Sequence, residues 1–203
     1  MFHVEHDPTG SGLSPGQRGA LGRFVELLVE VAAPRGLVRE RDRARIRTRH
    51  VDDSLRALPH LRDARRCADL GSGAGLPGIP LAIARPDIRF RLVEARARRV
   101  AFLELAVAEL ALENVDVLHA RAEELGRAMG APGTAEACTA RALADLPGAW
   151  ALARPLLAPR GRLIYFAGVS FEVPEDVEGA AKLEIEPPDG LASGGPLVII
   201  TAE

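Results

Sequence analysis

The residues best suited to chemistry lie between positions 69 and 94. Asp69-Leu70-Gly71-Ser72-Gly73-Ala74-Gly75-Leu76-Pro77-Gly78 joins a short apolar stretch, Cys67–Leu70, to an apolar run from Pro77 to Ala84. Glycines where a strand passes into a helix allow a tight turn and let a ligand approach main-chain N–H groups. In an open sheet flanked by helices, ligands bind just beyond the carboxyl ends of the strands. Glu94 ends the next apolar stretch, Arg89–Val93, at a spacing that suits hydrogen bonds to ribose hydroxyls. The ligand chemistry suggested is therefore that of a nucleoside cofactor, although a purely structural glycine turn would satisfy the same spacing.

Other residue types compete with this loop for attention. His3 and His6 form H-x-x-H, but a metal site needs more ligands, and a loose N-terminal stretch over residues 1–12 is the simpler reading. No metal site is expected. Cys67 and Cys138 are too few for a disulfide framework and read as two buried thiols. His50 sits close to Asp53 and Ser54, either in a hydrogen-bond cluster between helices or lining a site. Seven arginines fall between Arg35 and Arg49. The alternate positions Arg45, Arg47 and Arg49 cannot all share one helix face, so only a subset is expected to meet phosphate. Residues 1–100 carry a charge balance of +7 and residues 101–203 one of −9, a weak pointer to an anionic partner for the first half.

Elements must hold these groups in place. With 47% apolar residues and only 4% aromatic, the core is packed mainly by aliphatic side chains. Ser14-Pro15 reads as a helix start, and the apolar spacing of Leu21, Phe24, Val25, Leu28 and Val31 carries that helix to Pro34 and Gly36. A second helix is expected over 42–61, with Ile46, Leu55 and Leu58 inward. From Cys67 onward strands and helices alternate. Strands are expected at Cys67–Leu70, Arg89–Val93, Val115–His119, Ala137–Ala140 and Arg162–Phe166, and helices at Pro77–Ala84, Arg96–Leu112, Ala122–Met129 and Leu146–Leu157. Two further strands, Lys182–Ile185 and Leu197–Thr201, have no helix between them, so the last can enter antiparallel. The fold class is α/β: a Rossmann-like, mostly parallel twisted sheet with helices on both faces. Residues 1–63 form an N-terminal helical extension, and 64–203 one compact cofactor-binding domain. No run reaches the ~18 apolar residues of a membrane span, and residues 1–12 lack the features of a signal peptide, so a cytoplasmic protein is expected.

The loop admits two ligands. Gly73, Gly75 and Gly78 fit G-x-G-x-x-G, the dinucleotide fingerprint. Asp69, Gly71, Gly73 and Gly75 fit D-x-G-x-G-x-G, which resembles the S-adenosylmethionine loop of class I methyltransferases. Spacing does not decide between them. The carboxylate of Asp69 would repel a pyrophosphate and attract the ammonium of an amino-acid tail, which favours S-adenosylmethionine.

Longer segments carry a more specific resemblance. Asp69–Ile83 (DLGSGAGLPGIPLAI), His50-Val51-Asp52-Asp53-Ser54-Leu55, Val93–Glu104 (VEARARRVAFLE), Arg121-Ala122-Glu123-Glu124 and Ala140-Arg141-Ala142 all take part in it. Together they resemble the 16S ribosomal RNA guanine-N7 methyltransferases, the glucose-inhibited division protein B family. The resemblance implies that Gly71 and Leu76 contact the cofactor, that Glu94 holds its ribose, and that Ala122 and Glu123 meet the adenine. It places Arg141 toward the methyl-donor pocket or the RNA, and implies 16S ribosomal RNA or the small ribosomal subunit as partner. A monomer is expected. The chain departs from the family pattern at Ala33–Val38, at Ala167 where a Lys is usual, and at Gly195-Pro196. Guanine N7 has a free lone pair and no proton to remove, so no general base is expected. Three alternatives remain open on sequence: a non-catalytic or divergent cofactor- or RNA-binding relative, a class I methyltransferase with another substrate, and a nicotinamide oxidoreductase.

Overall fold

A strand covered by helices on both sides needs apolar side chains on both faces. Cys67–Leu70 meets that condition. In the structure, a computed structural model describing residues 12–125, 133–172, 174, 177–188 and 194–203, it becomes an inner strand of a seven-stranded sheet. Strand β1 (Arg66–Leu70) pairs in parallel with β2 (Arg89–Glu94) on one side and β4 (Ala135–Arg141) on the other. Beyond β2 lies β3 (Val115–His119), and beyond β4 lies β5 (Leu157–Phe166), both parallel. Strand β7 (Leu197–Ala202) runs antiparallel between β5 and β6 (Ala180–Glu186), as the missing helix before it implied. The order β3-β2-β1-β4-β5-β7-β6 reverses direction between β1 and β4. That reversal opens a crevice at the carboxyl ends of the strands.

Each face of the sheet buries its own cluster. Cys67, Phe90, Leu92 and Ala137 pack against helix α1 (Pro15–Leu27) through Phe24, α2 (Gly78–Ala84) through Ile79 and Leu81, and α3 (Ala97–Glu109) through Leu103. Ala68, Leu70, Val93, Cys138 and Leu163 pack on the other face against Ala149, Trp150 and Ala153 of α4 (Leu146–Ala153). Cys67 and Cys138 are buried and unbridged, on opposite faces. Ile46, Val51 and Leu61 join the cluster of α1 and α2, so the N-terminal segment shares a core with the sheet. Among the described residues no helix is long and apolar enough to cross a membrane.

One expected element differs from the structure. Residues 42–61 do not form one helix but a run of single turns: Glu40–Arg45, a wide turn Arg47–Asp52, Asp53–Leu55 and Leu58–Leu61. The reason lies in burial. Ile46 and Val51, both inward, are five residues apart, a spacing that a wide turn places on one side and a regular α-helix does not. Leu55, Ala57 and Leu61 then follow without a common helical face. After β3 a short turn, Ala122–Glu124, opens the segment where a helix to Met129 is expected, and Leu125 after it is helical. The end of that expectation, like residues 1–11 of the loose start expected over 1–12, with His3 and His6, lies outside the described residues.

Helix α1 reaches across to finish α2. Ser14 caps α1 by accepting from the Gln17 N–H (3.2 Å), and the Gln17 side chain accepts in turn from the Ser14 N–H (2.8 Å). The Gln17 amide also donates to the carbonyls of Ile83 and Ala84, each at 3.0 Å, which are among the last orphan carbonyls of α2. Gln17→Ala should therefore lower the urea midpoint, with a loss of about 1–2 kcal/mol and an unchanged slope. An unchanged midpoint would mean that water satisfies those carbonyls equally well.

Candidate functional site

The crevice is lined by the segments that leave the parallel strands. After β1 the chain folds back at once: Ser72 N–H donates to the Val93 carbonyl (2.9 Å), and Ser72 Oγ donates to the Asp69 carbonyl (2.9 Å). Gly75 N–H and Leu76 N–H both return to the Ser72 carbonyl, leading into α2. At Gly73 φ is +58°, a region that side chains resist, and a Cβ there would meet nothing closer than 3.7 Å. Gly73 is thus required by its backbone while its outer side stays open. Gly78 is required for packing: a Cβ would stand 2.4 Å from Leu92 Cδ2 and 2.7 Å from Asp69 Oδ2.

Glu94, at the end of β2, is only 4% exposed and anchors this loop. Its Oε2 accepts from the Gly73 N–H (3.1 Å) and its Oε1 from the Arg96 N–H (2.8 Å). Arg99 of α3 approaches Oε2 at 3.5 Å. The chain leaving β3 is tied to the same residue, since Ala120 N–H donates to the Glu94 carbonyl (3.1 Å). Ala122 follows half-buried, with Glu123 exposed beside it. Gly71, Gly73, Gly75, Leu76, Glu94 and Ala122 are thereby brought to one end of the sheet.

Asp69 is placed differently from the expectation of a carboxylate open to a ligand ammonium. Only 1% of it is exposed. Thr139 of β4 donates its hydroxyl to Oδ1 (2.6 Å), and among the described residues none hydrogen-bonds Oδ2, which lies beneath Gly78. Side chains at a strand end alternate between faces, and position 69 falls on the side that α2 covers. Burial pushes its pKa up to about 6.

Arg141, at the end of β4, is held by groups of the N-terminal segment and by β5. Its guanidinium meets Asp53 Oδ2 (2.9 Å), donates to the carbonyls of Arg49 (3.2 Å) and His50 (3.5 Å), and lies over the Phe166 ring, 5.5 Å from its centroid. His50 Nε2 stands 3.6 Å from Asp42 Oδ2 without a hydrogen bond. Burial, with the Arg141 charge nearby, pushes the His50 pKa down to about 4. Arg49 pairs with buried Asp42 (3.2 Å), Arg47 with Asp52 (3.1 Å), and Arg45 is exposed. Sequence spacing did not single out Arg99, Thr139, Asp42 or Arg56. Arg99 meets Glu94 from the helix that follows its strand, and Asp42 meets Arg49 and His50 within one run of turns, whereas Thr139 reaches Asp69 and Arg56 reaches Gly195 through long-range contacts. Ala167 packs into the core beside β5.

The comparisons with known proteins bear on the purpose of this crevice. The GidB family model, described as rRNA small subunit methyltransferase G, matches residues 17–181. The chain belongs to this family. A ribosomal RNA small subunit methyltransferase G from Nocardioides sp. is 43% identical over 158 residues, covering 78% of this chain and 61% of the relative. The chain's match thus spans less than two thirds of that relative's length. The protein of the same name from Acidiphilium cryptum is 46% identical over 73% of this chain and 67% of its own. That from Leifsonia xyli subsp. xyli is 38% identical over 88% and 83%. Among solved structures, a mutant of MtNAS in complex with S-adenosylmethionine superposes with a TM-score of 0.62 at 16% identity, covering 93% of this chain and 72% of that one. A methyltransferase from Geobacter sulfurreducens gives 0.62 at 14% identity, covering 89% and 88%. These likenesses show the Rossmann-like α/β fold.

Asp69 generates a test of the site's electrostatics. The folded protein binds its proton more tightly than the unfolded chain does, where 3.8 is the ordinary value. The stability it contributes is therefore complete below about pH 3.8 and is lost as the pH rises through about 6. Against Asp69→Asn, the wild-type protein should lose about 2–3 kcal/mol between pH 4 and pH 7. A stability difference independent of pH would show that the buried carboxyl is not perturbed.

Proposed function

We propose that the chain transfers the methyl group of S-adenosylmethionine to guanine N7 in 16S ribosomal RNA, releasing S-adenosylhomocysteine. The observation that carries this reading is Glu94, buried at the end of β2 and bonded to the Gly73 N–H of the glycine loop that leaves the neighbouring β1. Family membership supports the reaction class.

The residues present fit the cofactor. The outer side of Gly73 is open where a Cβ would stand, so the loop backbone can be approached there. Gly71, Gly73, Gly75 and Leu76 would line the cofactor's loop side, Glu94 would accept from ribose hydroxyls, and Ala122 with Glu123 would meet the adenine. Asp69 would serve by holding the loop against β4 through Thr139. When bound, the cofactor supplies an electrophilic methyl carbon on a sulfonium. The chain's own task is then to fix the base in line with that carbon and exclude water. No side chain has to take a proton from N7. The base would have to come from a loop or a splayed helix, because A-form RNA hides its major-groove edge. Arg45, Arg47 and Arg49 are candidates for phosphate contact, and the arrangement of residues 1–63 as an extension on a 64–203 cofactor domain belongs to the same proposal. The test is transfer of labelled methyl to 16S ribosomal RNA from cells lacking the protein, with the labelled base mapped. Label at a guanine N7 supports the reading, and label on a ring or exocyclic nitrogen that carries a proton overturns it.

Two outcomes can be checked at the site. Glu94→Ala should weaken S-adenosylhomocysteine binding by roughly 1.5–3 kcal/mol, the scale of charge-assisted hydrogen bonds, and leave RNA affinity unchanged. Loss of RNA affinity with cofactor affinity retained would misplace Glu94. Second, single-turnover methylation should be flat from about pH 6.5 to 8.5. His50, with a pKa near 4, stays neutral over that range. An acidic limb within the range that disappears in His50→Gln would reveal a general base.

A further inference from the structure

Asp53 is a buried carboxylate outside the cofactor loop that two arginines share. Only 2% of it is exposed, and it stands between two guanidinium groups. Its Oδ2 meets Arg141 (2.9 Å) and its Oδ1 meets Arg56 (3.0 Å). Arg56 goes on to the carbonyls of Gly195 (3.0 Å) and Pro187 (3.1 Å). Gly194 presses on the carboxylate so closely that a Cβ there would stand 2.9 Å from Oδ1. Arg141 adds its bonds to the Arg49 and His50 carbonyls and its contact with Phe166. One carboxylate thus joins the arginine-bearing segment, the carboxyl ends of β4 and β5, and the approach to β7.

Burial of such charges is a poor way to gain stability, because desolvation offsets much of the attraction. What the arrangement does supply is a defined geometry, since the planar guanidinium forks fix direction as well as distance. The elements it fixes are the two sides of the proposed reaction. Strand β4 borders the crevice beside the β1 loop, and residues 45–49 carry the exposed or partly exposed arginines. We propose that Asp53 is a positioning residue that sets the RNA-facing segment 45–53 against the methyl-donor edge through Arg141, and that Arg141 acts as this strut and not as a cofactor ligand. This rests on the methyltransferase reading above. It assigns a role to Asp53 that the family resemblance does not supply, and it revises the one implied for Arg141.

The test is a set of variants, Asp53→Asn, Arg141→Lys and the double variant Asp53→Asn with Arg141→Gln. Each is assayed for S-adenosylhomocysteine affinity, RNA affinity and the rate at saturating substrates. An offset of about 1 Å between reacting groups costs on the order of a hundredfold in rate, so Asp53→Asn should lower kcat by about 30-fold. Both binding constants should stay within about fivefold. Arg141→Lys keeps the charge and loses the fork, so its effect should be smaller, and it keeps the test alive if Asp53→Asn fails to fold. The double variant leaves two neutral amides and should be no worse than Asp53→Asn alone, as expected of residues acting as one unit. A kcat within threefold of wild type would overturn the proposal. So would a parallel fall in cofactor affinity in the Arg141 variants, which would make Arg141 a ligand, or a loss confined to RNA affinity. No transfer by the wild-type protein would instead defeat the methyltransferase reading, and this inference with it.

Discussion

The carboxylate of Glu94 holds the crevice together. Its two oxygens accept from Gly73 N–H and Arg96 N–H, so the turn after β1 and the start of α3 share one anchor. A glycine loop left to itself would sample many conformations at high entropic cost to any ligand. With Glu94 in place the loop is ordered before a ligand arrives, which is the condition for tight binding by main-chain groups. The turn after β3 is referred to the same residue through Ala120, so the candidate adenine side and the candidate ribose side are set by one strand end.

Asp69 performs the complementary task from beneath. It is sealed between β4 and α2, bonded to Thr139, with one oxygen unpartnered among the described residues. Such a group costs stability when ionised. Its retention is consistent with a need for a small, rigid polar pin at the switch between β1 and β4, where Gly78 lets α2 descend onto it. The two acidic residues of the sequence motif thus divide their work: one is buried under the helix, and the other faces the loop backbone at the crevice.

Much of this was legible in the sequence. The glycine loop, Glu94 and the alternating strands are set by local spacing, and the antiparallel β7 by the absence of a helix before it. What could not be read were side-chain directions and distant partners. Asp69 looks open in sequence because nothing local shows that Gly78 brings α2 over it. The segment 42–61 reads as a helix because its apolar residues are frequent, whereas Ile46 and Val51 require a wide turn. Arg141 finds Asp53 across 88 residues of chain, and Arg56 finds Gly195 across 139, contacts that periodicity does not encode. The arginines of residues 45–49 resolve into paired and exposed members for the same reason: their partners are Asp42 and Asp52, set by the turns and not by sequence spacing alone.

If the loop–Glu94 crevice is the cofactor site, a ligand there must protect its main-chain groups. Amide hydrogen exchange of the protein with and without saturating S-adenosylhomocysteine tests this directly. Protection should rise at the loop amides from Gly71 to Leu76 and at the start of the Ala122 turn, and NAD should leave all of them unchanged. Protection by NAD, or protection by S-adenosylhomocysteine confined to another part of the molecule, would contradict it.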